Sequence, residues 1–212
     1  MSASAILLYG MMLAALPVGW ASGIAARRIT GGEPLLSVIV GFDIAVVYWA
    51  WVAMPPIHFL FLATCVLGWL LVANATCDVL VFRLPDIFTY PLIAAGFAVA
   101  LGFNDGRLAD QLIGAVAGFA ILAALAWVYE RLRHRQGLGL GDAKLAAAAG
   151  AWLGWQALPS VILVAATAGI AWAGVAYLLR GRTGLDERVP FGVPLALAFW
   201  LTWLYGPLTI GL

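Results

Sequence analysis

Gly139-Leu140-Gly141-Asp142-Ala143-Lys144 opens an apolar segment that runs on to Trp155. Its glycines allow positive φ and close backbone approach, and its acid stands where the chain turns hydrophobic. A second acid, Asp78, closes an earlier apolar run and heads the stretch Asp78-Val79-Leu80-Val81-Phe82-Arg83-Leu84-Pro85-Asp86. Around both lies a succession of apolar runs of membrane-spanning length, separated by Gly, Pro and charge clusters. This alternation predicts an all-α, polytopic membrane helix bundle. Carboxylates at the edges of such segments are expensive and mark function by default.

Composition agrees. Of 212 residues, 65% are hydrophobic and 10% charged, where a soluble domain carries about 25% charged residues. Mean hydropathy is +1.03. A net charge of +1 offers no electrostatic case for nucleic acid. No polar stretch is long enough for a second domain, so residues 1–212 read as one membrane domain with the lipid bilayer as partner. The sequence sets no oligomeric state. Cys65 and Cys77 share one apolar segment, about 18 Å apart at helical rise. That spacing disfavours a disulfide, no CxxC pair is present, and both read as small buried apolar residues. Met1-Ser2-Ala3-Ser4 lacks the basic region of a secretory signal, so the first apolar run reads as a retained helix.

The apolar runs predict about eight spans: Ala5–Ala25, Leu35–Met54, Ile57–Val79, Phe88–Phe103, Leu112–Tyr129, Ala143–Trp155, Leu158–Leu179 and Val189–Leu208. Breaks are expected at Pro55-Pro56 and Gln156–Pro159. Basic residues crowd cytoplasmic loops. With both termini outside the cytoplasm, ten of the eleven Lys and Arg residues fall on the cytoplasmic side and only Arg107 falls outside. Asp78 and Asp142 then reach the same, cytoplasmic face.

Each candidate has a bland reading beside the functional one. Asp142 follows a glycine-rich loop and suits a helix N-cap; equally, the glycines admit an extended peptide beside the acid. No GK[ST] follows, so the loop is not a P-loop. Pro85 should put Asp86 in a turn near the interface, where Asp78 and Asp86 can simply pair Arg83. Asp43, mid-way along the second span, reads first as a structural acid and second as a mark of an ion path. His58 and His134 fall in loops with no second ligand at suitable spacing, so no metal site is expected.

Three stretches carry a resemblance. Asp78–Leu92 (DVLVFRLPDIFTYPL) resembles the first signature of the type IV prepilin peptidases, and Gly139–Leu153 (GLGDAKLAAAAGAWL) resembles their GxGD motif followed by a lysine. Val189–Leu195 (VPFGVPL) is similar to a third family segment. The resemblance covers roughly 57–212, in family order. It implies a membrane aspartic endopeptidase of the bacterial inner membrane. Such an enzyme cleaves the basic leader from prepilins or pseudopilins, with its active site facing the cytoplasm. It places the catalytic pair on Asp78 and Asp142, while Asp86 matches a further acid of the motif. Gly139, Gly141, Asp86 and Lys144 are the expected substrate-binding residues. Many bacterial members carry a cysteine-rich loop between the first two helices and also methylate the new N-terminus. Here that loop shrinks to about Ala26–Pro34 without cysteine, so methyltransferase activity is not expected.

Two carboxylates sharing one proton supply both a base for water and an acid for the carbonyl, so no cofactor is called for. The rival class is a proton- or cation-coupled transporter using intramembrane carboxylates, for which Asp43 is the best candidate.

Overall fold

The computed structural model describes residues 3–30, 36–53, 58–103, 106–133, 139–180 and 190–208. Among them every regular element is helical. The helices are α1 (Ala3–Thr30), α2 (Leu36–Ala53), α3 (His58–Val81), α4 (Asp86–Phe103), α5 (Leu108–Arg133), α6 (Leu140–Leu153), α7 (Leu158–Arg180) and α8 (Gly192–Tyr205), with a single 3-10 turn at Trp155–Ala157. Among the described residues four stretches are, by length and composition, long and apolar enough to cross a membrane: Leu7–Arg28, Phe59–Val81, Leu108–Leu132 and Trp155–Leu179. Val38–Ala53, Asp86–Gly102 and Gly192–Tyr205 are shorter apolar helices.

The ends differ from the predicted ones for local reasons. Helix α1 runs on through the expected loop as far as Thr30, with Arg27 and Arg28 in its last turn, where cations suit the negative end of the helix dipole. Asp86 does not sit in a turn; it is the first residue of α4. Pro85 stands just before it, and an acid in the first turn favours helix initiation. His58 likewise opens α3 rather than lying in a loop. Helix α6 starts at Leu140, three residues earlier than its apolar run, because the polar GxGD residues form its first turn. The expected break near Gln156 is present: Gly154 at φ 80° ends α6, and Asp110 on α5 accepts from Trp155 Nε1 and Gln156 Nε2. Pro55-Pro56, His134 and most of the loop after α1 lie outside the described residues.

Helix α6 is the axis of the bundle. Its alanine run, Ala146–Ala149, is buried together with Leu145 and Trp152, and it packs on α4, α5, α7 and α8. Small residues make this possible. Gly114 and Gly118 on α5 lie four apart, as do Ala146 and Gly150 on α6, so each pair lines one helix face. A Cβ on Gly150 would come within 2.1 Å of the Gly114 carbonyl, and one on Gly118 within 2.5 Å of the Ala146 carbonyl. Backbones this close are the small-xxx-small mode of membrane helix packing, in which van der Waals contact replaces the hydrophobic effect. The large side chains fill what remains: Trp152 Nε1 donates to the Leu92 carbonyl at 2.8 Å, and its ring meets Trp203 edge-on at 5.1 Å. Cys65 and Cys77 are free and fully buried.

Candidate active site

Asp78 sits one turn before the end of α3, and the chain reverses directly after it. Phe82 closes the helix at φ 52°, with its N–H on the Asp78 carbonyl at 2.9 Å. This left-handed position is one that glycine usually fills. The strand of chain from Arg83 to Pro85 then returns to α4. Asn74, one turn earlier on α3, accepts from Thr89 Oγ1 on α4 at 2.9 Å, and its own amide donates to the Leu70 carbonyl. The α3–α4 corner carrying Asp78 is therefore braced by a buried, satisfied polar pair, the kind that fixes geometry.

Asp142 is not an N-cap. Gly139 holds that position in an extended conformation, and Asp142, three residues on, reaches back so that the Gly139 N–H donates to its Oδ2 at 3.0 Å. This is one half of a capping box; glycine has no side chain to supply the other. The second oxygen, Oδ1, is buried with no hydrogen-bond partner among the described residues.

The two acids, far apart in sequence, come to one site. Asp78 and Asp142 are 4% and 6% exposed. Leu84 joins the two motifs. It packs against Gly141, next to Asp142, and against Gly192, which touches Asp78; a Cβ on either glycine would come 3.0–3.1 Å from Leu84. The N-terminus of α8 completes the site: the Val193 N–H donates to Asp78 Oδ2 at 3.2 Å. Unpaired N–H groups at a helix start favour an anion, so each acid accepts from the N-terminus of a helix, Asp142 from its own and Asp78 from α8.

Gly192, Val193 and Leu84 were not singled out from the sequence as site residues. The signal lay in the third family segment, Val189–Leu195, to which the sequence assigned no contact with Asp78. Of the expected substrate-binding residues, Gly139 and Gly141 flank Leu140 beside Asp142. Asp86 and Lys144 pair with each other across the α4 and α6 starts, and Lys144 also lies 5.2 Å above the Tyr90 ring. Asp86 thus pairs with Lys144, not with Arg83 as the bland reading had it. Asp43 is 1% exposed and set against Gly19 of α1, with neither oxygen hydrogen-bonded among the described residues. No group of three or more His, Cys, Asp or Glu arranged for a metal occurs among those residues.

Residues 65–174 match the type IV leader peptidase family, half of the chain and the part that carries both acids. The chain is 41% identical over 145 residues to a prepilin leader peptidase/N-methyltransferase of Aeromonas hydrophila, covering 68% of this chain and 50% of that protein. It is 43% identical over 136 residues to the protein of that name in Burkholderia pseudomallei, covering 64% and 44%. It is also 43% identical over 115 residues to the leader peptidase HopD of Escherichia coli, covering 54% and 74%. The chain thus spans about half the length of the first two relatives. No solved structure matches it.

Proposed function

The chain belongs to the type IV leader peptidase family, and from that premise we propose that it is an aspartic endopeptidase removing the basic leader of prepilins or pseudopilins at the cytoplasmic edge of the bacterial inner membrane. One observation carries the reading: two buried acids from different helices are joined through Leu84 and the N-terminus of α8 at one site, each held by a backbone N–H, with one Asp142 oxygen unpartnered among the described residues. Two carboxylates held in one buried site do not both ionise cheaply, and in this reading the pair shares one proton. The carboxylate takes a proton from water as that water attacks the scissile carbonyl, and the carboxylic acid protonates or hydrogen-bonds the carbonyl oxygen. The proton then passes to the leaving amine, and the pair returns to its starting state. Gly139 leaves room for the scissile backbone, whereas the space over Gly141 is taken by Leu84. Asp86 and Lys144 stand beside it on the polar side, as a pair that a charged leader meets.

The proposed topology has eight crossings with both termini outside the cytoplasm and residues 57–212 carrying the peptidase. Helix α6 has 14 residues, about 21 Å at helical rise, less than a bilayer core of about 30 Å. A short α6 sets Asp142 at or below the membrane surface, where a substrate emerging from the bilayer reaches it. We further propose that the chain cleaves without methylating, because the stretch between α1 and α2 is short and free of cysteine. Two of the relatives above are named as N-methyltransferases and HopD is not. Mass spectrometry of a pilin cleaved in the presence of a methyl donor tests this; a product heavier by one methyl group refutes it. The family and these relatives are peptidases, not carriers, and nothing about Asp43 adds a second acid to make an ion path. Cleavage of a prepilin by the purified chain, lost on either Asp→Asn change, is the experiment for the main reading. Solute flux without cleavage overturns it.

A further inference from the structure

A short link, Phe82–Pro85, joins α3 to α4, and both of its ends are fixed. Phe82 donates its N–H to the Asp78 carbonyl at 2.9 Å. The Pro85 carbonyl accepts from the N–H groups of Phe88 and Thr89 at 3.1 and 3.2 Å, and from Thr89 Oγ1 at 3.1 Å. Proline also restricts the residue before it to an extended backbone, so Leu84 has little freedom of its own. Arg83 is exposed, whereas Leu84 is half-buried and packs on the main core of the bundle.

What Leu84 packs on sets it apart from an ordinary core leucine. A Cβ on Gly141 would lie 3.1 Å from Leu84 Cβ and 3.3 Å from its Cδ1, and a Cβ on Gly192 would lie 3.0 Å from the same Cδ1. One methyl group therefore closes on two backbones, and glycine leaves it room at both. Gly141 is bonded to Asp142. A Cβ on Gly192 would lie 2.7 Å from Asp78 Oδ2, and the next residue, Val193, donates its N–H to that oxygen. The turn carrying Asp142 and the helix start holding Asp78 thus rest on one side chain, delivered by a link whose ends cannot move far.

We propose that Leu84 is a positioning residue for the acid pair: it sets where the Asp142 turn stands relative to the start of α8 that holds Asp78. The proposal rests on the leader-peptidase reading and adds a residue that acts through the two acids and carries no proton itself. Packed interiors hold distances to a fraction of an ångström. Removing the outer carbons of Leu84 leaves a void between the starts of α6 and α8, and the surroundings relax into it only in part. The acids then lose their set distance, and a displacement on the order of 1 Å costs about a hundredfold in rate. The loss falls on kcat, because the acids act on the reacting bond.

The test is initial-rate cleavage of a prepilin by the full chain in proteoliposomes. Leu84→Ala should lower kcat at least about tenfold with KM within about threefold. Leu84→Met, which keeps the length and volume, should hold kcat within about threefold. Should Leu84→Ala fail to insert, Leu84→Val removes both δ carbons more gently and should still lower kcat at least about threefold. Leu204→Ala is the comparison for a merely structural role. Leu204 is a half-buried leucine packed on the same core, and it lies about 18 Å beyond Gly192 along α8 at helical rise. Its loss should leave kcat within about twofold. A double change supplies a further readout. Gly141→Ala returns a methyl group beside the space that Cδ1 vacates, so Leu84→Ala with Gly141→Ala should lose less kcat than the product of the single losses, by about threefold or more. Losses that simply multiply, or a Leu204→Ala enzyme as slow as Leu84→Ala, overturn the positioning role. Wild-type cleavage with an unchanged kcat in Leu84→Ala sinks that role alone. No cleavage by the wild-type chain sinks the leader-peptidase reading and the role of Leu84 with it.

Discussion

Replacing Gly192 with alanine should damage the site more than any other single methyl group. The new Cβ would lie 2.7 Å from Asp78 Oδ2, 3.0 Å from its Cγ and 3.0 Å from Leu84 Cδ1, where ordinary contact begins at 3.4 Å. The carboxylate must retreat by about 0.7 Å, and packed interiors offer no slack of that size. Asp78 is 4% exposed, and Leu84 cannot yield because it already packs on Gly141. The movement also stretches the Val193 N–H bond, 3.2 Å at rest. Misplacing a catalytic group by a distance on the order of 1 Å costs about a hundredfold in rate, so kcat should fall about a hundredfold while KM stays within about threefold. Overpacking should take about 1–3 kcal/mol of stability, which a thermal melt in detergent will register. Two other glycines calibrate the effect. At Gly141 the new Cβ meets Leu84 Cβ at 3.1 Å, a milder crowding; at Gly139 it meets Asp142 Oδ2 at 3.6 Å, an ordinary contact on an extended backbone. The assay is initial-rate cleavage of a reconstituted prepilin, followed by gel mobility. Expected losses of kcat rank Gly192→Ala first, Gly141→Ala second and Gly139→Ala last. A Gly192→Ala enzyme with wild-type kcat, or a Gly139→Ala enzyme worse than it, refutes the assignment of Gly192 to the site.

Asp78→Ala and Asp142→Ala should each abolish turnover yet leave membrane insertion intact, measured by cleavage and by protease protection; robust cleavage by either variant rejects the acid pair. Asp86→Asn should be far milder, with kcat reduced less than about fivefold, because exposed ion pairs contribute only about 0–1 kcal/mol. The exchanged pair Asp86→Lys with Lys144→Asp should recover most of what either change loses; no recovery means the two groups act separately. Phe82→Gly should stabilise the fold by about 1 kcal/mol, since a side chain in the left-handed region costs about that much. Denaturation in mild detergent checks it, and a less stable variant would mean that the exposed Phe82 ring contributes packing that outweighs the backbone cost.

What the sequence determined by itself follows from local rules. Apolar length and interrupting Gly and Pro suffice for a helical bundle, because a helix satisfies its own backbone and needs no distant partner. The candidate acids were legible for the same reason: a carboxylate at the edge of an apolar run is anomalous whatever surrounds it. The helix starts at Leu140 and Asp86 were less legible, since the boundary there is set by polar first-turn residues and not by the hydrophobic run. Only the tertiary structure decided that α8 donates to Asp78, that Leu84 packs on both Gly141 and Gly192, and that Lys144 pairs with Asp86. Those contacts join residues up to 115 positions apart. They depend on how closely α3, α4, α6 and α8 approach one another, and at Gly141 and Gly192 that approach needs missing Cβ atoms that have no meaning until Leu84 and Asp78 face them.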